Sequence, residues 1–135
     1  MRAVFADTSY FAALLSPGDV HHEIAVQRSR SVRLLVVTEY VLVELGNGFR
    51  LQSGRSMFPP FIDRLRAHPK VIVIPASSEL FEAGLELYRS RADKQWSMTD
   101  CISFVVMRRE GITDALTADR RFEQAGFHVL LRPGS

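Results

Sequence analysis

Apolar residues follow two spacings along this chain. Short apolar-rich runs of strand length occur at RAVFA (2–6), RLLVVT (33–38), KVIVI (70–74), ITDALT (112–117) and FHVLL (127–131). Runs of this kind suit strands of a parallel sheet, where both faces are covered and polar alternation is lost. Helical spacing fills the gaps. A helix is predicted over Ser9–Ser16, stopped by Pro17-Gly18, and a half-exposed one over 19–30, where Val20, Ile24 and Ala25 are the sparse apolar positions. A third spans 39–52 with a break at Ser53-Gly54. In SMFPPFIDRLRA a helix is expected to start at the prolines, where a missing amide proton costs nothing. Ser77 or Ser78 caps the next helix, which runs to about Arg91. A strongly apolar helix over 97–109 stops at Gly111, and RRFEQA makes a short one ended by Gly126. Strands alternating with one or two helices predict a three-layer α/β/α sandwich around a central, mostly parallel five-stranded sheet. In such folds ligands sit at the carboxyl ends of the strands.

Length and composition narrow this picture without redirecting it. At 135 residues the chain is expected to be one domain, 1–135. A hydrophobic fraction of 47% and a charged fraction of 24% are those of an ordinary globule, and disorder is excluded. No apolar run reaches membrane-span length. The start, MRAVFADTSYF, has an aspartate inside its apolar stretch and no small-residue cleavage site, which argues against a secretory signal. The single cysteine, Cys101, excludes an internal disulfide and a cysteine-rich metal site, and fits a reducing cytoplasm.

Four acids change the picture more. Asp7 and Asp119 each follow a predicted strand (VFA, ALTA) and open a helix, so both are placed on the strand-end edge. Each can be an N-cap or a ligand, and a cap carboxylate keeps lone pairs for both roles. On the helix over 39–52, a rise of 100° per residue puts Glu44 between Leu51 and Val41, inside the apolar arc of Val41, Leu42, Leu45, Phe49 and Leu51. A carboxylate on a buried face needs a cation, an arginine or strong donors. Asp100 shares a helix face with Phe104 and Met107; Ser97-x-x-Asp100 also reads as a capping box. Four carboxylates converging beyond the strand ends would repel unless a positive charge lay between them. Oxygen-only donors suit Mg²⁺ or Mn²⁺, which can activate a water and stabilise the oxygens of a phosphodiester. Net charge is only +2 with pI near 9.0. With four acids neutralised by metal, the remaining 17 basic and 11 acidic residues give +6, which suits a polyanion such as RNA.

FADTSYFAALL, VLVELGN, SMTDCISFVVMRREGI and ALTADRRFEQAGF resemble, in order and at normal spacing, the four signature blocks of PIN-domain nucleases. The resemblance covers nearly the whole chain, and the compact length is similar to VapC-type toxins of toxin-antitoxin pairs. It implies that the metal-binding acids fall on Asp7, Glu44, Asp100 and Asp119, with Ser9 and Thr117 orienting the acids or metal waters. It further implies Mg²⁺- or Mn²⁺-dependent endonucleolytic cleavage of RNA and, for VapC-like members, a homodimer inhibited by a cognate antitoxin. Arg121 departs from the pattern, since relatives commonly carry histidine there; the change is expected to touch substrate contacts more than metal binding.

Arg91, Lys94 and Trp96, before the Asp100 helix, and Arg120 and Arg121, beside Asp119, are candidate RNA contacts. Arginines would hold phosphate and Trp96 would stack on a base; the competing reading is a solvated loop with a packing anchor. His21, His22, Cys101, Glu39, Asp93 and Asp114 are read as surface, core or structural residues, and the Phe58-Pro59-Pro60-Phe61 patch as packing or as a protein-docking surface. Other functions fit the fold. A housekeeping RNA-processing nuclease would share the four acids, whereas a catalytically silent RNA- or protein-binding module would not need them. A phosphoacceptor receiver requires an aspartate ending the third strand and a lysine after the fifth; KVIVIP ends on proline and no lysine lies beyond Lys94.

Overall fold

A computed structural model of the chain describes residues 2–132. Its elements in chain order are β1 (Ala3–Ala6), α1 (Thr8–Leu15), α2 (His22–Ser29), β2 (Leu34–Thr38), α3 (Glu39–Gly48), α4 (Gln52–Ala67), β3 (Val71–Ile74), α5 (Ser78–Ser90), α6 (Met98–Glu110), β4 (Asp114–Leu116), α7 (Arg120–Gln124) and β5 (His128–Val129). The five strands form one sheet in the order β3-β2-β1-β4-β5, with every pairing parallel. The expected α/β sandwich is therefore present, and its sheet is parallel throughout.

Strand order reverses at β1. The chain steps outward from β1 to β2 and β3, then returns to the other side of β1 for β4 and β5. Such a reversal opens a crevice at the carboxyl ends of the two strands that flank it, here β1 and β4. Aromatic contacts mark the two covered faces. On one, Phe11 of α1 meets Phe61 of α4 edge to face at 5.7 Å. On the other, Phe5 of β1 meets Phe122 of α7 at 6.4 Å, and Phe104 of α6 packs on Phe122 at 4.9 Å. Phe5, Phe11, Phe104 and Phe122 are at most 1% exposed, and burial of each contributes about 1.5–3 kcal/mol.

Helix ends follow local chemistry. Thr38 caps α3 through Val41 N–H, Ser77 caps α5 through Leu80 N–H, and Ser97 with Asp100 completes the capping box of α6. Gly111 ends α6 at φ +67°, a left-handed conformation that glycine adopts without a Cβ penalty. Gly84 brings α5 against α6, because a Cβ there would lie 2.4 Å from Ile102 Cγ1.

The region expected as a helix over 39–52 with a break at Ser53-Gly54 is built differently. Helix α3 stops at Gly48, the chain turns through Phe49 to Leu51, and α4 starts at Gln52, so Pro59 and Pro60 lie inside it. The carbonyls they deprive of a partner belong to Arg55 and Ser56, both exposed, so water can satisfy them. In the Phe58–Phe61 patch the prolines are exposed, but Phe61 is buried and Phe58 lies against Gly46, which makes the rings packing residues. The strands expected at 112–117 and 127–131 shorten to three and two residues.

Candidate active site

Asp7 is the first residue past β1 and is 7% exposed. Its amide still reaches the sheet, donating to Leu116 O at 3.3 Å, so its position is tied to the ends of both β1 and β4. The carboxylate does not cap α1. Its Oδ2 instead accepts from Thr117 Oγ1 at 3.0 Å and from Ser9 Oγ at 3.2 Å, and these two hydroxyls lie 3.1 Å apart. Thr117 is fully buried just past β4, and its Oγ1 also accepts Asp119 N–H at 3.0 Å. One hydroxyl thus fixes the buried acid of one strand end and the backbone of the next. Burial pushes the Asp7 carboxyl up to about 6; Asp100 and Glu44 add to the rise, while hydrogen bonds from Thr117 and Thr8 N–H oppose it.

Asp100 enters from the first turn of α6 and is also 7% exposed. Its Oδ2 accepts Ser97 N–H at 2.9 Å. Burial raises its pKa, followed by the negative charge of Asp119; the Ser97 backbone and Arg121 act the other way. Asp119 caps α7, accepting Arg121 N–H at 2.9 Å through Oδ1. The Arg121 side chain turns back over the same acids, with Nη1 3.2 Å from Asp119 Oδ2 and 3.8 Å from Asp100 Oδ2.

Glu44 stands differently from its expected place. It is exposed, not buried, although its charge still raises the Asp7 pKa. Leu51 caused the misplacement: it widened the apolar arc on paper, yet it lies beyond the end of α3 and is 75% exposed. Thr8, which sequence reasoning passed over, donates to Glu44 Oε1 at 2.5 Å. The signal was present in the consecutive hydroxyls of Asp7-Thr8-Ser9: one turns to Glu44 and the other to Asp7. Glu44, Asp7, Asp100 and Asp119 therefore form a chain of carboxylates, each influencing the next.

The donor set fits a hard divalent cation. It is all oxygen, and its two buried acids, Asp7 and Asp100, have pKa values raised by burial and then by neighbouring acids, a condition that a cation relieves. The nearby thiol is no competitor, since burial and then Asp100 push Cys101 up to about 11 and keep it neutral. As placed, no three carboxylate, imidazole or thiol side chains among the described residues stand close enough to hold one ion. Arg121 instead supplies positive charge between Asp100 and Asp119.

The candidate RNA contacts separate into two groups. Lys94, Arg120 and Arg121 line a polar cleft of about 470 Å³ beside Asp119, together with Asp93, Gln95 and Gln124. Trp96 is not available for stacking: it is 4% exposed, its Nε1 donates to Gln124 Oε1 at 3.0 Å, and its ring packs on Phe104 at 5.0 Å. Arg91 covers the Trp96 ring at 5.0 Å and pairs with Asp93 through two hydrogen bonds of 3.0 and 3.1 Å. A structural anchor at Trp96, braced by Arg91, replaces the stacking platform. Away from the site, Asp114 pairs with Arg2 at 3.2 Å and Glu39 accepts Ala76 N–H at 2.6 Å, both structural roles. A second, largely apolar cleft of about 440 Å³ between α1 and α4 contains none of the four acids.

Residues 4–128 match the model of the family described as PIN domain. The chain is 32% identical over 132 residues to the 23S rRNA-specific endonuclease VapC20 of Mycobacterium tuberculosis, from strains CDC 1551 / Oshkosh and H37Rv, covering 96% of this chain and 98% of the relative. The crystal structure of M. tuberculosis VapC20, described as a sarcin-ricin loop cleaving toxin, superposes with a TM-score of 0.83 at 29% identity, covering 92% of this chain and 95% of that one. FitAcB from Neisseria gonorrhoeae shares the fold, with a TM-score of 0.66 at 16% identity over 94% of this chain and 96% of that one.

Proposed function

The chain belongs to the PIN domain family, and from that premise we propose that it is a divalent-metal-dependent endoribonuclease of the VapC toxin type, hydrolysing phosphodiester bonds in RNA. The observation that carries this reading is the chain of four carboxylates at the β1/β4 crevice, two of them buried and with raised pKa values. Mg²⁺ or Mn²⁺ is the ion that oxygen donors of this kind select. Asp7, Asp100 and Asp119 would hold it, and Glu44 would ligate it or orient a water. Bound there, the ion supplies a Lewis acid that activates water and neutralises charge developing on the phosphodiester.

The chain's own residues set the geometry for that chemistry. Thr117 and Ser9 fix one oxygen of Asp7. Thr8 does the same for Glu44. Lys94 and Arg120 border the adjoining polar cleft and hold phosphate oxygens as the strand passes the acids. Among the described residues no helix is long and apolar enough to cross a membrane. Likeness to VapC20 supports a structured RNA such as the sarcin-ricin loop of 23S rRNA as substrate. Likeness to a toxin supports a cognate antitoxin as partner, and a homodimer is part of the same proposal.

The test is cleavage of a labelled sarcin-ricin loop hairpin in Mg²⁺, Mn²⁺ or EDTA, beside Asp7→Asn and Asp100→Asn. Cleavage is expected with either metal, with none in EDTA or in either variant. Metal-independent cleavage, or full activity in both variants, would sink the mechanism. Growth arrest on expression that a neighbouring gene's product relieves is expected of a toxin; absence of arrest would favour an RNA-processing role.

A further inference from the structure

Arg120 and Arg121 are neighbours on the short helix α7, yet only one of them turns inward. Arg120 lines the polar cleft, while the Arg121 guanidinium lies 3.2 Å from Asp119 Oδ2 and 3.8 Å from Asp100 Oδ2. Asp100 is 7% exposed and its pKa is raised by burial and by Asp119, so a counter-charge at this point removes a real penalty. The guanidinium itself remains 44% exposed on a flexible stem, and its backbone N–H is held independently by Asp119 Oδ1 at 2.9 Å. The side chain can therefore leave the acids without releasing the start of α7. The cleft of about 470 Å³ next to it, lined also by Lys94, Gln95 and Arg120, gives it room to turn.

We propose that Arg121 is a displaceable counter-cation: it pairs Asp100 with Asp119 until a divalent ion takes both carboxylates, and then turns toward Lys94 and Arg120 in the cleft. The proposal rests on the metal-dependent reading above. Ion and guanidinium compete for the same oxygens, so Arg121 sets how much metal the protein needs. Once displaced, its planar fork could grip two phosphate oxygens of a strand lying in the cleft. Arg121 is thus a positioning residue that couples metal binding to substrate binding.

Mn²⁺ alone is the probe, titrated into the full chain by calorimetry. Arg121→Gln is expected to bind Mn²⁺ on the order of tenfold more tightly than wild type. That is the effect of removing one charge roughly 6 Å from a divalent ion under water-like screening. Arg30→Gln, the same loss of charge at an exposed position away from the acids, is expected to bind within about twofold of wild type. Arg121→Lys, a point charge that cannot bridge two carboxylates as a fork does, should fall between. Equal or weaker Mn²⁺ binding by Arg121→Gln overturns the proposal while leaving the nuclease reading standing. A thermal destabilisation of that variant without tighter binding would identify a purely structural pair. Failure of all four proteins to bind Mn²⁺ overturns both.

Discussion

Replacing Asp7 by asparagine is predicted to abolish cleavage and, in EDTA at neutral pH, to make the protein more stable. The folded carboxyl titrates near 6 against an ordinary value of 3.8. Between these values the folded chain keeps a proton that the unfolded chain gives up, so the site's contribution to stability falls as pH rises from about 4 to about 6. Above that window the cost of the buried charge is fully present; below it, the cost is absent. Two pKa units correspond to about 3 kcal/mol, which asparagine never incurs because it has no proton to lose. Its amide retains the carboxylate's shape and can still accept from Thr117 or Ser9. In a domain of this size, about 3 kcal/mol amounts to roughly ten degrees in Tm. The assay is thermal unfolding of both proteins in EDTA from pH 4 to pH 8, repeated with excess Mg²⁺. The two should unfold together near pH 4, with the variant ahead at pH 7. Mg²⁺ should then raise the wild type by about 2.7 kcal/mol at a hundred times its Kd and leave the variant largely unmoved. A variant less stable than wild type at pH 7 in EDTA, or a gap that does not close toward pH 4, would refute the reasoning.

Three other substitutions test separate parts of the structure. Thr117→Val removes the hydroxyl shared by Asp7 and Asp119 N–H, and should cost about 1–3 kcal/mol in urea unfolding. Because the Thr117 hydrogen bond is the largest influence lowering the Asp7 pKa, the acid limb of the cleavage–pH profile should move upward; an unmoved limb would show that Asp7 does not govern it. Gly84→Ala drives a Cβ to 2.4 Å from Ile102 Cγ1 and should destabilise the fold by about 1–3 kcal/mol, with little effect on Mn²⁺ affinity. Trp96→Phe loses the Gln124 hydrogen bond but keeps an aromatic ring against Phe104, so RNA affinity by fluorescence anisotropy should stay within about twofold, whereas a stacking platform would lose about 1–3 kcal/mol on replacement by alanine.

The sheet and most helices were legible because each element's local signals agreed. RLLVVT and KVIVI read as parallel strands through their lack of alternation, and they pair as β2 and β3 in register from Leu35–Val71 to Thr38–Ile74. Ser77, Ser97 and Gly111 mark helix ends by the chemistry that the structure shows there. Helix α4 was misjudged because its first turns, QSGRS, carry no apolar periodicity, while Pro59-Pro60 carries a strong start signal that exposure made unnecessary to obey. Glu44 was placed in the core because a helical wheel assumes one unbroken helix, and Leu51 was counted on a helix that ends before it. The positions of Asp7 and Asp119 just past β1 and β4 were legible from the strands they follow, yet the contacts of these acids were not. That Asp7 is held by hydroxyls from two strand ends rather than capping α1, and that Arg121 folds back over Asp100, depend on side-chain directions that sequence spacing leaves open.

The central claim is that Asp7, Asp100 and Asp119 share a divalent ion. An anomalous difference map from crystals soaked in Mn²⁺ addresses it most directly. A peak at the carboxyl ends of β1 and β4, within ligand distance of those three acids and with Arg121 turned away from them, is the predicted result. Mn²⁺ bound elsewhere, or no peak at that crevice in crystals of protein that cleaves RNA with Mn²⁺, would contradict the account.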